Sequence, residues 1–179
     1  MKTKLSVIIP VLNERATIEE IIARVEVADC GHVLKEIIIV DDGSLDGTRQ
    51  ILDSLRNKYE IIFHDRNRGK GAAIQTALRA VTGDFLIIQD ADLEYDPADW
   101  KKMLDILSAD ESVMAVYGSR NLGQSQRGYF VYFLGDWLLT FLVNALFWSR
   151  LTDVMTCYKM FRKEVFDSVK IKSQGFDFE

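Results

Sequence analysis

Asp84-Phe85-Leu86-Ile87-Ile88-Gln89-Asp90-Ala91-Asp92-Leu93-Glu94 is an apolar run closed by three carboxylates two residues apart. Phe85 to Ile88, bounded by Gly83, reads as a strand buried on both faces, because a half-exposed strand would alternate apolar with polar residues. Such strands belong to open α/β sheets, whose ligand crevice lies beyond the carboxyl ends of the strands. In extended chain, residues i, i+2 and i+4 share a face, which directs Asp90 and Asp92, with Glu94 as a third candidate, toward one point. Like charges gathered there repel unless a cation lies between them, and carboxylate oxygens suit Mg²⁺ or Mn²⁺. The competing reading is that these acids cap the helix that begins near Pro97.

Outward from this run the same pattern repeats. Leu5 to Val11, Glu36 to Val40, Glu60 to His64 and Val113 to Tyr117 read as further strands. Ile18, Ile21, Ile22 and Val25 stand at helical spacing after Asn13-Glu14, and Ile51, Leu52 and Leu55 form the apolar face of a helix capped by Asp46. An alanine-rich helix with Ala73, Ala77, Leu78 and Val81 follows the loop 65–71, and Pro97 to Leu107 is another helix. Strands alternating with helices imply βαβ units and a mostly parallel sheet with right-handed crossovers. All strand ends then lie on one edge, and four of them carry chemistry: Pro10-Val11-Leu12-Asn13-Glu14, Asp41-Asp42-Gly43-Ser44, Asp90-Ala91-Asp92 and Gly118-Ser119-Arg120.

The totals narrow the classes. A chain of 179 residues suffices for one well-buried domain, without disulfides or a structural metal. Cys30 and Cys157 lie far apart without a paired motif and read as thiols of a reducing compartment. Met1-Lys2-Thr3-Lys4 leads straight into a strand, so secretion is not expected. A net charge of −5 offers no global footprint for nucleic acid, and no nucleic-acid partner is expected. A dinucleotide-binding dehydrogenase would place Gly-x-Gly-x-x-Gly after the first strand, where Pro10 to Glu14 stand instead, and no Walker sequence occurs. Acidic strand ends with few glycines suggest a nucleotide whose pyrophosphate is neutralised through a metal.

The ordered series Pro10-x-x-Asn13-Glu14, Val40-Asp41-Asp42-Gly43-Ser44-x-Asp46-Gly47-Thr48, Asn67-x-Gly69-x-Gly71, Asp90-Ala91-Asp92-Leu93 and Ser119-Arg120 resembles family 2 glycosyltransferases of the GT-A fold. Within that family it is most similar to the dolichyl- or polyprenyl-phosphate mannosyl and glucosyl synthases. The resemblance spans the whole chain and implies an α/β, Rossmann-like, mostly parallel sheet with flanking helices. It implies that Asp90 and Asp92 hold the divalent cation, with Glu94 a third ligand. Its nucleotide contacts map onto Pro10, Asn13 or Glu14, Asp42 and Asp65, and Gly69, Lys70 and Ala91 belong to the same cofactor-binding set. Arg120 and Arg127 would meet phosphates, since a guanidinium offers a planar fork suited to them. Residue by residue, plainer roles compete: Asp42 or Asp46 as a helix cap, Asn67, Gly69 and Gly71 as a tight turn, Arg66, Arg68 and Lys70 as a solvated loop. His32 and His64 have no partnering pattern and read as structural.

Tyr129 to Trp148 is twenty residues long, largely apolar, with Asp136 its only charge. That length could span a bilayer. Tyr132, Asp136, Thr140 and Asn144, however, draw one polar stripe at steps of four. A helix lying in a membrane interface, its polar stripe wet, is the leading expectation over a buried or dimer-forming helix and over a true span. Terminal aromatics and the flanking Arg127 and Arg150 agree with the headgroup level. The chain thus divides into a nucleotide-sugar and metal core over 1–125, the amphipathic helix over 126–150 and an acceptor-side segment over 151–179. In relatives the closing Gly175-Phe176-Asp177-Phe178-Glu179 is internal, so the chain is expected to be truncated. The partners implied are a GDP- or UDP-linked sugar, a polyprenyl or dolichyl phosphate and a membrane surface, with a homo-oligomer left open. The expected location is the cytoplasmic face of a membrane, peripheral or anchored by a further C-terminal region.

The expected reaction is inverting transfer of a sugar, mannose or glucose, to the lipid phosphate, with Asp92, Arg120 and Asp153 as the catalytic set. A phosphate monoester has a second pKa near ~6, so its oxygen is already anionic at neutral pH and needs no strong base. A saccharide hydroxyl acceptor would need one, and Asp153 is that candidate. A non-catalytic membrane-associated binding module is the alternative from another class.

Overall fold

In the computed structural model, which describes residues 3–122, 130–168, 173 and 175, the apolar runs become the centre of one sheet. β1 (Lys4–Val11) and β2 (Leu34–Asp41) run parallel in full register, from Lys4 opposite Leu34 to Val11 opposite Asp41. β3 (Glu60–Phe63) joins β2 and β4 (Phe85–Ile88) joins β1, both parallel. The crossovers that parallel strands require are α1 (Ile18–Val27), α2 (Thr48–Ser54) and α3 (Lys70–Leu78). After β4 come a 3-10 turn at Pro97–Asp99, α4 (Trp100–Ala109), β5 (Ala115–Tyr117), α5 (Phe130–Phe147), β6 (Lys159–Arg162) and α6 (Glu164–Ser168).

The sheet order is β3-β2-β1-β4-β6-β5. β6 was not expected: Lys159 to Arg162 inserts antiparallel between β4 and β5 and separates two strands that the alternation makes neighbours. Its composition conceals it, because only Met160 and Phe161 are apolar while Lys159 and Arg162 at its ends look like surface residues. Arg162 ends the strand, and its guanidinium donates to the Val113 carbonyl at 2.9 Å.

Both faces of the central strands are covered, which is why their sequences are continuously apolar. Val7, Ile9, Val11 and Ile87 pack with Ile18, Ile21, Val25, Trp100 and Leu104 on one face. Ile8, Ile38, Val40 and Leu86 pack with Ala73, Ile74 and Ala77 on the other. At the amino edge, Glu36 ties the strands together, accepting from Ser6 Oγ, Thr82 N (2.7 Å), Gly83 N (3.1 Å) and Lys4 Nζ (3.1 Å). Burial pushes its carboxyl up, but these donors more than offset that and hold it at about 2.

Candidate active site

Parallel pairing brings the carboxyl ends of β1, β2, β3 and β4 to one edge, and the loops there are tied to each other by side chains. Asn13, in the left-handed region at φ 57, donates its N–H to Ser44 Oγ (2.9 Å) and accepts from Leu45 N (2.9 Å). Asp46 accepts from Thr48 N (3.0 Å) and from Arg15 N (3.1 Å), so it caps the approach to α2 and also joins the first loop to the second. Glu14 lies in the turn ahead of α1, its side chain accepting from Thr17 Oγ1 at 2.7 Å. Pro10 is half-buried at the end of β1.

Asp42 is buried, and its oxygens face the protein. One accepts from Gly69 N (2.7 Å), the other lies 2.6 Å from His64 Nδ1, and both receive Arg68 N. Asp42, expected among the nucleotide contacts, fixes the shape of the loop 65–71. His64 has a structural role, as expected, but a specific one: its other ring nitrogen lies 2.9 Å from Thr76 Oγ1 on α3. Gly43 is required by this arrangement, since at φ 83 a Cβ would stand 2.6 Å from the backbone of Arg66 and Asn67. Asp65 remains exposed at the loop's start.

β4 stops at Ile88, and the chain then turns. Gln89, fully buried, donates through Nε2 to the carbonyls of Asp90 (3.1 Å) and Tyr95 (3.1 Å), closing the turn on itself. This residue was missed; a polar side chain between a buried strand and its acids was the available signal. Leu93 at φ 68 then diverts the chain, and Asp92 accepts the N–H of Glu94 (3.0 Å). The two-residue alternation therefore does not extend to Glu94. Among the described residues no three His, Cys, Asp or Glu side chains are gathered at one point, so the protein offers an ion a pair of carboxylates and leaves the rest of its shell to other ligands. The competing capping role falls to Asp96, which accepts from Ala98 N (3.0 Å) ahead of Pro97. Ala91 is buried in the core, leaving its backbone for the site. Asp90 attracts a cation already: Lys70 Nζ lies 2.8 Å from one oxygen and 3.2 Å from the other. Two hard carboxylates, one drawn to an ammonium and one exposed, fit Mg²⁺ or Mn²⁺.

Gly118-Ser119-Arg120 leaves β5 at the same edge. One strand, β6, separates it from β4, so it lies roughly 10 Å from the Asp90 turn. Arg120 is clamped by Asp153: the carboxylate accepts from Arg120 N (3.0 Å), Nε (2.8 Å) and Nη2 (2.8 Å). The Asp153 side chain is wholly buried while Arg120 is 44% exposed. Burial pushes the Asp153 carboxyl up, and the hydrogen bonds from Arg120 overcome this and hold it below the usual carboxylate range. Asp136 of α5 stands behind the pair, 3.8 Å from Arg120 Nη2. Arg127 lies outside the described residues.

The polar stripe of α5 turns inward, which reverses the expected orientation. Asp136 accepts from Asn121 Nδ2 (3.2 Å), Thr140 Oγ1 from Val154 N (3.2 Å) and Asn144 Oδ1 from Leu151 N (2.9 Å). The irregular segment 149–154 carries backbone groups that need partners, and the stripe supplies them. The opposite face is apolar and bare: Trp137, Leu138, Phe141, Leu142 and Leu146 are between 45 and 72% exposed. Among the described residues no helix is long and apolar enough to cross a membrane.

A mixed six-stranded sheet whose carboxyl edge carries these loops and an Asp-x-Asp turn defines a GT-A-like fold. The description "Glycosyl transferase family 2" matches residues 6–170, and the chain belongs to that family. It is 27% identical over 176 residues to the dodecaprenyl-phosphate galacturonate synthase of Rhizobium johnstonii, covering 96% of this chain and 51% of that protein. It is 28% identical over 179 residues to the dolichol-phosphate mannosyltransferase of Pyrococcus furiosus, covering 97% and 50%. The chain thus spans about half the length of the curated relatives it matches. Among solved structures, glucosyl-3-phosphoglycerate synthase from Mycobacterium tuberculosis, in complex with Mn²⁺, UDP and glucosyl-3-phosphoglycerate, superposes with a TM-score of 0.71. That likeness has 25% identity and covers 94% of this chain and 59% of that one.

Proposed function

We propose that this protein transfers a hexosyl group, mannose or glucose, from a GDP- or UDP-linked donor to a polyprenyl or dolichyl phosphate, with inversion at the anomeric carbon. The observation that carries this reading is the Arg120–Asp153 pair. It presents a half-exposed cation at the carboxyl edge, and its carboxylate is too firmly ionised to be a strong base. A lipid phosphate brings its own anionic oxygen and asks for a cation, whereas a saccharide hydroxyl asks for a base. The names of the two relatives point to the same acceptor class.

Asp90 and Asp92 would hold the Mg²⁺ or Mn²⁺ ion, which when bound supplies charge neutralisation for the departing nucleotide diphosphate. Pro10, Asn13, Glu14 and Asp65 line the edge where the nucleoside would lie, and Asp42 holds the loop 65–71 in shape around it. Arg120 and Arg127 would receive the acceptor phosphate. The exposed apolar face of α5 supports docking on the cytoplasmic face of a membrane, where such an acceptor resides.

Incubation of the full-length protein with labelled nucleotide sugar, Mn²⁺ and a short polyprenyl phosphate tests the proposal. Label is expected in the lipid fraction; none with any common donor overturns it and leaves the binding-module alternative. Asp153→Asn separates the acceptors, with near-complete loss of transfer expected for a saccharide hydroxyl and a milder loss for a lipid phosphate.

A further inference from the structure

We propose that Lys70 is the resident counter-cation of Asp90, displaced by an entering divalent ion and thereby handed to the donor's diphosphate. The inference rests on Asp90 and Asp92 being the metal-holding pair. It adds a competition between metal and lysine that couples metal binding to nucleotide binding.

The ammonium straddles the carboxylate, at 2.8 and 3.2 Å from its two oxygens, with the two side chains only 12 and 15% exposed. A divalent ion binds carboxylate oxygen at about 2.0 to 2.1 Å, so an ion on Asp90 would lie within a few ångströms of an ammonium left in place. Two cations so close, in a site this withdrawn from water, repel strongly. One of them must leave. The backbone at this point is pinned, because Gly69 N donates to Asp42 (2.7 Å) and to Asn67 Oδ1 (2.9 Å) immediately before Lys70 opens α3. Movement is therefore confined to the four-carbon stem, which swings about a fixed Cα at the edge where the strand ends converge. A lysine ammonium is a mobile point charge well suited to phosphate. Metal alone must evict the lysine, nucleotide alone finds the lysine engaged, and the two together remove both obstacles. Such coupling is reciprocal.

Titration of Mn²⁺ alone into the full chain, followed by the electron paramagnetic resonance of free Mn²⁺, reads the competition without donor or acceptor. Lys70→Gln is expected to bind Mn²⁺ about tenfold more tightly than wild type, and Lys70→Arg to resemble wild type, because only the first removes the competing charge. With Mn²⁺ saturating, UDP or GDP is expected to bind Lys70→Gln about tenfold more weakly. A second measurement needs no variant: reductive methylation of wild type, read by peptide mass spectrometry, should modify Lys70 faster with Mg²⁺ than without. Equal or weaker Mn²⁺ binding by Lys70→Gln, or methylation indifferent to Mg²⁺, overturns the latch alone. Absence of Mn²⁺ binding in every form, with or without nucleotide, overturns it together with the metal reading.

Discussion

Two buried carboxylates, Asp42 and Asp153, organise the two sides of the site in the same way and to different ends. Each accepts backbone N–H groups of a loop at the sheet's carboxyl edge: Arg68 and Gly69 for Asp42, Arg120 for Asp153. Asp42 is completed by His64, a buried ring that is itself held by α3, so the loop 65–71 is set before any ligand arrives. Asp153 is completed by a guanidinium that is 44% exposed and can turn toward solvent. The first side is closed to solvent; the second is half open to it. It is further supported by α5, whose inner face is polar and whose outer face is bare and apolar.

The largest effect should come from breaking the closed side. Asp42→Ala deprives buried His64 Nδ1 and the Arg68 N–H of their partner, leaves Gly69 N only Asn67 Oδ1, and should cost about 3 to 4 kcal/mol in urea denaturation, with loss of nucleotide binding in calorimetry. Asp153→Asn should cost less, about 2 kcal/mol, because Arg120 can reach water; equal costs would erase the distinction between the two sides. Asp153's folded pKa lies below its ordinary 3.8, so its stabilisation is present above that value and disappears as pH falls further; the variant's deficit should shrink accordingly.

Glu36, at the opposite edge, calibrates both. Its carboxyl drops from 4.5 to about 2 on folding, so the stability it adds is complete above 4.5 and lost as pH falls toward 2. Glu36→Gln should cost about 2 kcal/mol at neutral pH, discounted for its partial exposure, and the gap to wild type should close across that window in thermal melts. The smallest effect on stability belongs to α5. Trp137→Glu with Phe141→Glu should change unfolding free energy by no more than about 0.5 kcal/mol, both residues being exposed, yet abolish sedimentation with anionic vesicles. Vesicle binding that survives the double substitution would remove the membrane role from this face.

Much of the parallel half was legible because its signals are local. Runs such as Glu36 to Val40 and Phe85 to Ile88 state their burial outright, and the acids that follow mark the edge. The alternation that aligned Glu94 with Asp90 and Asp92 does not hold past the end of β4, in a turn that Leu93 and Gln89 define. β6 was hidden because a four-residue strand with charged ends has too little pattern to stand out. The stripe on α5 was visible, but periodicity tells which residues share a face and not which way that face points.

The sequence by itself determined the alternation of strands and helices in the parallel half and the edge on which the carboxylates gather, and its ordered motifs carried the resemblance to the family. The first two follow from burial and spacing within a few residues. Only the tertiary structure decided what each charge does: Asp42 is joined to His64 across 22 residues, Lys70 to Asp90 across 20 and Arg120 to Asp153 across 33. A pairing between distant residues exists only once the sheet has brought their loops together, and no local pattern encodes it.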